Sequence, residues 1–237
     1  MTIKKVKLLA VLVCVSLLSA CAGTYRTYYE MFKLALSTPE DVSLTYSAIA
    51  EAPYDFMYLR QGEKPRVALA LAFIEQQQFK WVSGEQEMVV TESGRIVRTL
   101  GLGNDLLFLS NRQADPLKQG AFRGTQWRTA ADWQLGEYGT ELRSTFSEHH
   151  NYQLTYFNHV LPTVLVIEQV AIDTKPRFWR FDGSWQNLYW LDAQTGRVLQ
   201  SRQQLTAGQA SYELVYVSEV VRALKRRGLV VAGDEQL

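Results

Sequence analysis

The sequence predicts a mainly β fold: a curved antiparallel sheet, or a partly closed β-barrel or sandwich, with an N-terminal helix and a C-terminal helix. Three observations predict it. Roughly ten short runs rich in β-branched and aromatic residues recur along the chain. Glycine, asparagine and aspartate punctuate those runs at turn spacing. Helical periodicity is confined to two stretches, one near each end.

The first element is not part of the fold. Lys4, Lys5 and Lys7 precede an apolar run over residues 8–18, which is too short for a spanning helix of about 20 residues. It reads as a signal peptide. Leu18, Ser19, Ala20 and Cys21 form a lipobox, with small side chains before the cleavage point and a thiol ready for acylation. The sequence therefore predicts a signal peptide over residues 1–20 and a single mainly β, periplasm-facing domain over residues 21–237. Stable anchoring takes more than one acyl chain, because each buried methylene contributes about 0.8 kcal/mol. Ala22 stands where an aspartate would retain a lipoprotein in the inner membrane, so the predicted location is the outer membrane.

Removing the three leader lysines moves the formal charge from +1 to −2. That excludes nucleic acid as a main partner, since such binding rests on neutralising many phosphates. The two cysteines are Cys14, lost with the leader, and Cys21, acylated. Disulfides, thiolate catalysis and cysteine-held metals are excluded with them. No cofactor is expected beyond the covalent lipid on Cys21.

Residues 25–36 carry Tyr25, Tyr29, Phe32 and Leu36 at helical spacing, and Pro39 stops the pattern. Residues 41–50 read either as a short helix capped by Asp41 or as an alternating strand. Tyr54, Phe56 and Tyr58 share one strand face. Over residues 66–74, Val67, Leu69, Leu71 and Phe73 alternate with Ala68, Ala70 and Ala72, which predicts a strand buried on both sides under a close-packed cover, with helix 25–36 as the candidate. Residues 87–91 and 95–100 form a hairpin about Ser93-Gly94, followed by a strand at 106–109. Residues 111–124 read as a long polar loop, with Trp127 and Trp133 beyond it. Strands are expected at 140–147, 152–157, 163–171, 187–191, 197–203 and 212–217. In the final helix Val217, Val220, Val221 and Leu224 make the buried stripe, Ser218 is the expected cap and Gly228 the stop.

Several residue groups carry possible chemistry. Glu148, His149, His150 and His159 could suggest a metal, but adjacent strand residues face opposite ways, so no metal site is predicted. Ser144, His150 and Asp132 lack the turn that presents a nucleophile, and no catalytic residue is assigned. Trp179, Arg180, Trp185, Asn187 and Trp190 are candidates for polysaccharide contact, because flat rings and fork-like donors suit sugar faces and hydroxyls. The alternative is that the same aromatic residues pack the sheet. Arg222, Lys225, Arg226 and Arg227 complement the last helix dipole or face an anionic polymer or lipid.

The stretches APYDFMYLR (residues 52–60), FIEQQQFKW (73–81) and YWLDAQTGRVLQSRQ (189–203) occur in an order that resembles the YjbF/GfcB group 4 capsule polysaccharide lipoproteins, over about residues 25–208. The resemblance implies a largely β outer-membrane lipoprotein acting as a noncatalytic accessory factor in secretion or assembly of capsule or extracellular polysaccharide. Its expected partners are the membrane, through the lipid anchor, other export proteins, and the polysaccharide itself. The resemblance supplies no active site. Two further classes remain open: a lipid or glycolipid carrier with a half-open cavity, and a glycan-modifying enzyme, which would need paired carboxylates from among Asp132, Glu137, Glu141, Glu168 and Asp182.

Overall fold

Alternating apolar and polar side chains build twelve strands in one antiparallel sheet, seen in a computed structural model that describes residues 40–173 and 183–237. They are β1 (Phe56–Gln61), β2 (Val67–Glu75), β3 (Gln78–Val82), β4 (Met88–Glu92), β5 (Arg95–Leu100) and β6 (Leu106–Leu109). The second half supplies β7 (Gln126–Trp133), β8 (Glu137–Tyr156), β9 (His159–Ile172), β10 (Ser184–Asp192), β11 (Val198–Gln203) and β12 (Tyr212–Val215). The sheet order is β5-β4-β3-β2-β1-β12-β11-β10-β9-β8-β7-β6. The edge strands β5 and β6 are therefore consecutive in the chain.

The loop at residues 101–105 draws those two edges together. Leu106 N donates to Thr99 Oγ1 at 2.9 Å, and Asp105 accepts from Thr99 Oγ1, Gly101 N and Leu102 N at 2.8, 2.8 and 3.0 Å. The sheet is nearly closed as a barrel, which removes most of the edge-strand hazard.

Two apolar cores follow from the two faces. Met57, Leu69, Val89, Trp127, Trp133 and Tyr189 fill the barrel interior. On the outer face, Tyr58, Tyr156, Leu161 and Leu199 meet α1 (Tyr46–Ala50) and α3 (Val217–Arg226). The stripe Val217, Val220, Val221 and Leu224 is buried as its spacing predicts, and each such side chain contributes about 1.5–3 kcal/mol. The polar segment after β6 holds a 3₁₀ turn at Arg112–Ala114 and α2 (Pro116–Gln119), which Asp115 caps through Leu117 N at 3.0 Å.

The mainly β class and the C-terminal helix stand, and the details differ for physical reasons. The two strands predicted at 140–147 and 152–157 are instead one long strand, β8, which ends at Tyr156 and absorbs an irregularity between His149 and Tyr152, with Asn151 at φ 66°. The β2 alternation ends at a bulge between Leu71 and Phe73, which turns Phe73 and Ile74 outward at 66% and 62% exposure. Thr45, rather than Asp41, caps α1, and Asp41 instead accepts from Arg66 N and pairs with Arg60. Tyr216 takes the N-cap position of α3, while the Ser218 hydroxyl accepts from Phe56 N at 2.8 Å. The predicted helix at 25–36 and the signal peptide lie outside the described residues.

Candidate functional site

Arg95 begins β5 on an inward-facing position, so its guanidinium lies inside the barrel at 5% side-chain exposure. A buried cation needs partners, and this one has a full set. Nε and Nη2 donate to the two oxygens of Asp115 at 2.5 and 3.1 Å, and Nη1 donates to Glu168 Oε2 at 2.7 Å and Tyr189 OH at 3.1 Å. The same cation stands 4.5 Å from the Trp127 ring centroid. Asn187 Nδ2 adds a bond to Glu168 at 3.0 Å. Gln203 bridges strands by accepting from Ile96 N at 2.9 Å and donating to Gly94 O at 2.8 Å. Burial pushes the Glu168 carboxyl up, but the charge and hydrogen bond of Arg95 outweigh it and hold the carboxyl below its ordinary value. Burial pushes the Tyr189 phenol well up, so it stays a neutral donor. This network fastens the α2 segment across one end of the barrel. The cavity beside it is about 40 Å³ and is lined by Ser144, Glu168, Trp133 and Trp185.

A second, much larger concavity of about 690 Å³ opens at the end of the barrel where β2–β3, β4–β5 and β10–β11 turn. Its floor is aromatic. Trp81 stacks on Phe79 with centroids 6.4 Å apart and meets the Tyr216 edge at 5.8 Å. Trp81 Nε1 donates to Thr91 Oγ1 at 2.9 Å and Tyr216 OH to Gly94 O at 3.2 Å, so both rings are fixed. Gly94, at φ +86°, lies so close to Val198 that a Cβ would fall 2.5 Å from a Val198 methyl. The rim is charged. Arg222 donates to both Asp55 oxygens at 2.8 and 2.9 Å and to Glu219 at 3.0 Å, and Arg197 reaches Glu219 at 3.2 Å. Lys118 completes the rim, and its ammonium has no partner among the described residues.

The residues singled out from sequence are distributed differently. Cys21, Trp179 and Arg180 lie outside the described residues. Trp185 and Asn187 face the barrel interior and are buried, while Trp190 faces the other way and is half-buried. Strand alternation separates them, so these three do not make one sugar-facing surface. Ser144 lies buried inside the barrel, whereas His150 is exposed on the outer part of β8, and Asp132 accepts from Gly139 N. His159 contacts Val230 O at 2.9 Å, and no group of three or more metal-ligating side chains exists among the described residues. Of the last-helix arginines, Arg226 and Arg227 bind Asp192, whose carboxyl burial pushes up and these partners with Thr195 hold below its ordinary value. No helix among the described residues is long and apolar enough to cross a membrane. The roles of Arg95, Asp115 and Trp81 escaped sequence reading; an arginine opening an otherwise apolar strand and the Asp115-Pro116 cap signal were the available hints.

A family model described as group 4 capsule polysaccharide lipoprotein gfcB, YjbF matches residues 29–216. The uncharacterized lipoprotein GfcB of Escherichia coli (strain K12) is 33% identical over 206 residues, covering 84% of this chain and 92% of that protein. The uncharacterized lipoprotein YjbF of the same organism is 32% identical over 202 residues, covering 83% and 90%. A crystal structure of the hypothetical lipoprotein YmcC from Escherichia coli (K12) superimposes with a TM-score of 0.64 at 34% identity, covering 73% of this chain and 87% of that one.

Proposed function

This chain belongs to the group 4 capsule polysaccharide lipoprotein family, and from that premise we propose that it is an outer-membrane lipoprotein, anchored through acylated Cys21 and facing the periplasm. Its work is noncatalytic: it assists secretion or assembly of capsular or extracellular polysaccharide alongside other export proteins. The observation that carries this reading is the contrast between a filled barrel and an open, aromatic-floored groove at its end. The inner cavity of about 40 Å³ falls far below the roughly 300 Å³ of a small-ligand pocket, which argues against an acyl chain held inside the barrel, and the larger groove carries five charged side chains at its rim, which suits a polar ligand better than an acyl chain. Glu168 is tied to Arg95, and the groove carboxylates Asp55 and Glu219 are both tied to Arg222, which suits binding better than paired acid–base chemistry. Of the aromatic set, Trp179, Arg180 and the half-buried Trp190 remain proposed polymer contacts, whereas Asn187 belongs to the interior network and Trp185 lines the small cavity beside it.

Deletion tests the role. Surface polysaccharide should fall sharply in the deletion strain and return with the wild-type gene but not with Cys21→Ser, whose product should leave the membrane fraction. Unchanged surface polymer after deletion, or turnover of purified polymer by the protein, overturns the proposal.

A further inference from the structure

We propose that the groove at the end of the barrel binds a carboxylated, uronic-acid-containing segment of polysaccharide; this rests on the accessory role proposed above and names the ligand class of that site. The volume of about 690 Å³ lies within the roughly 300–1,000 Å³ of ligand sites and suits a few sugar rings. Phe56 and Phe79 line it half-buried, over the locked pair Trp81 and Tyr216, and so offer flat apolar surface to sugar faces. Rim charge then selects among sugars. Three cations, Lys118, Arg197 and Arg222, face two carboxylates, Asp55 and Glu219. Arg222 alone engages both carboxylates, and Arg226 also donates to Glu219 at 3.0 Å. Lys118 is left with no ion pair among the described residues, and Arg197 shares Glu219 while its side chain stays 67% exposed. An incoming carboxylate would meet an unspent ammonium and an accessible guanidinium fork. A neutral glycan would leave both unanswered.

The electrostatic preference is legible in the fold. Lys118 sits on α2, which the Arg95–Asp115 pair fixes in place, and Arg197 sits on the β10–β11 turn, where Gly196 N donates to Asp192 O at 2.8 Å. Both cations are therefore carried on braced segments, so little ordering cost accompanies binding.

The test uses the full chain purified in mild detergent, with short oligogalacturonides as the acidic probe and cello-oligosaccharides of equal length as the neutral one, read by saturation-transfer NMR and tryptophan fluorescence. The acidic probe should bind at least tenfold more tightly and weaken as salt rises. Lys118→Gln and Arg197→Gln should each weaken it about tenfold, corresponding to one charge-assisted hydrogen bond lost, while Lys225→Gln, an exposed cation away from the groove, should change nothing. Equal affinity for both probes, binding insensitive to both substitutions, or no binding at millimolar probe overturns the proposal. Capture by phosphatidylglycerol vesicles that is lost on the same two substitutions would also overturn it, by assigning the groove to a lipid headgroup. The deletion phenotype is independent of all these results, so failure of the groove leaves the accessory role to stand or fall separately.

Discussion

Replacing Arg95 by Met tests whether the interior network holds the barrel end together. The substitution keeps much of the side-chain volume but removes four hydrogen bonds, two to Asp115, one to Glu168 and one to Tyr189. Asp115 and Glu168 have side chains only 4% and 1% exposed, so both carboxylates would be left buried and uncompensated. Breaking a buried pair in this way costs about 3–5 kcal/mol. Urea denaturation at neutral pH should show that loss as a lower midpoint with little change in slope. The pH dependence is a second readout. In the wild type the folded Glu168 pKa lies below its unfolded value, so its contribution is present above the unfolded pKa and is lost as pH falls through the folded pKa. In Arg95→Met the charge and hydrogen bond that chiefly oppose burial are gone and only the side-chain hydrogen bonds of Ser144 and Asn187 remain against it, so the folded pKa rises and the variant is penalised at neutral pH and relieved as acid protonates the carboxylate. The stability gap between the two proteins should therefore narrow between pH 7 and about pH 4. A cost under about 1 kcal/mol, or a gap that does not depend on pH, would refute the role given to Arg95.

Three further outcomes follow from packing and charge. Gly94→Ala places a methyl 2.5 Å from Val198 at a residue with φ +86°, and strain plus overpacking should cost about 2–5 kcal/mol; adding Val198→Ala should recover part of it, as a double-mutant cycle in urea will show. Leu224→Ala empties a fully buried position beneath α3 and should lower stability by about 2–5 kcal/mol, and a loss below about 1 kcal/mol would mean that α3 is not docked on the sheet. Asp192→Asn removes the buried charge that Thr195, Arg226 and Arg227 contact, and should cost about 1.5–3 kcal/mol and speed hydrogen exchange in the α3 amides ahead of those in β10.

Alternation made most of the sheet legible, because each barrel strand has one face in the interior and the other either in water or under a helix. It failed where that premise fails. β7 was hidden because Gln126–Trp133 follows a polar segment and begins with Gln and Arg on its outer positions, although Trp127, Ala131 and Trp133 are its buried face. β3 was hidden by Gln78 and Lys80, whose partners Glu92 and Glu75 make polar outward positions satisfactory. The groove was less legible still. Its floor joins Trp81 to Tyr216, residues far apart in the chain that meet because β1 pairs with both β2 and β12. The local cluster of tryptophans drew attention instead, yet Trp185 and Trp190 are divided by the same period-two rule that identified their strand.

The buried network also explains how a polar interior serves a binding groove. An all-apolar core could fill the barrel as tightly, but it would not position α2, which contributes only Pro116 and Leu117 to burial. The bidentate Arg95–Asp115 contact fixes that short helix by direction as well as by proximity, and Asp115 caps the helix with the same oxygen that accepts from Nη2. Lys118 is then held at the groove rim one turn away. In Arg95→Met, groove affinity for an acidic oligosaccharide should therefore weaken at urea concentrations where the barrel is still folded. If affinity is retained until global unfolding, α2 is placed by its own packing and the network serves the core alone.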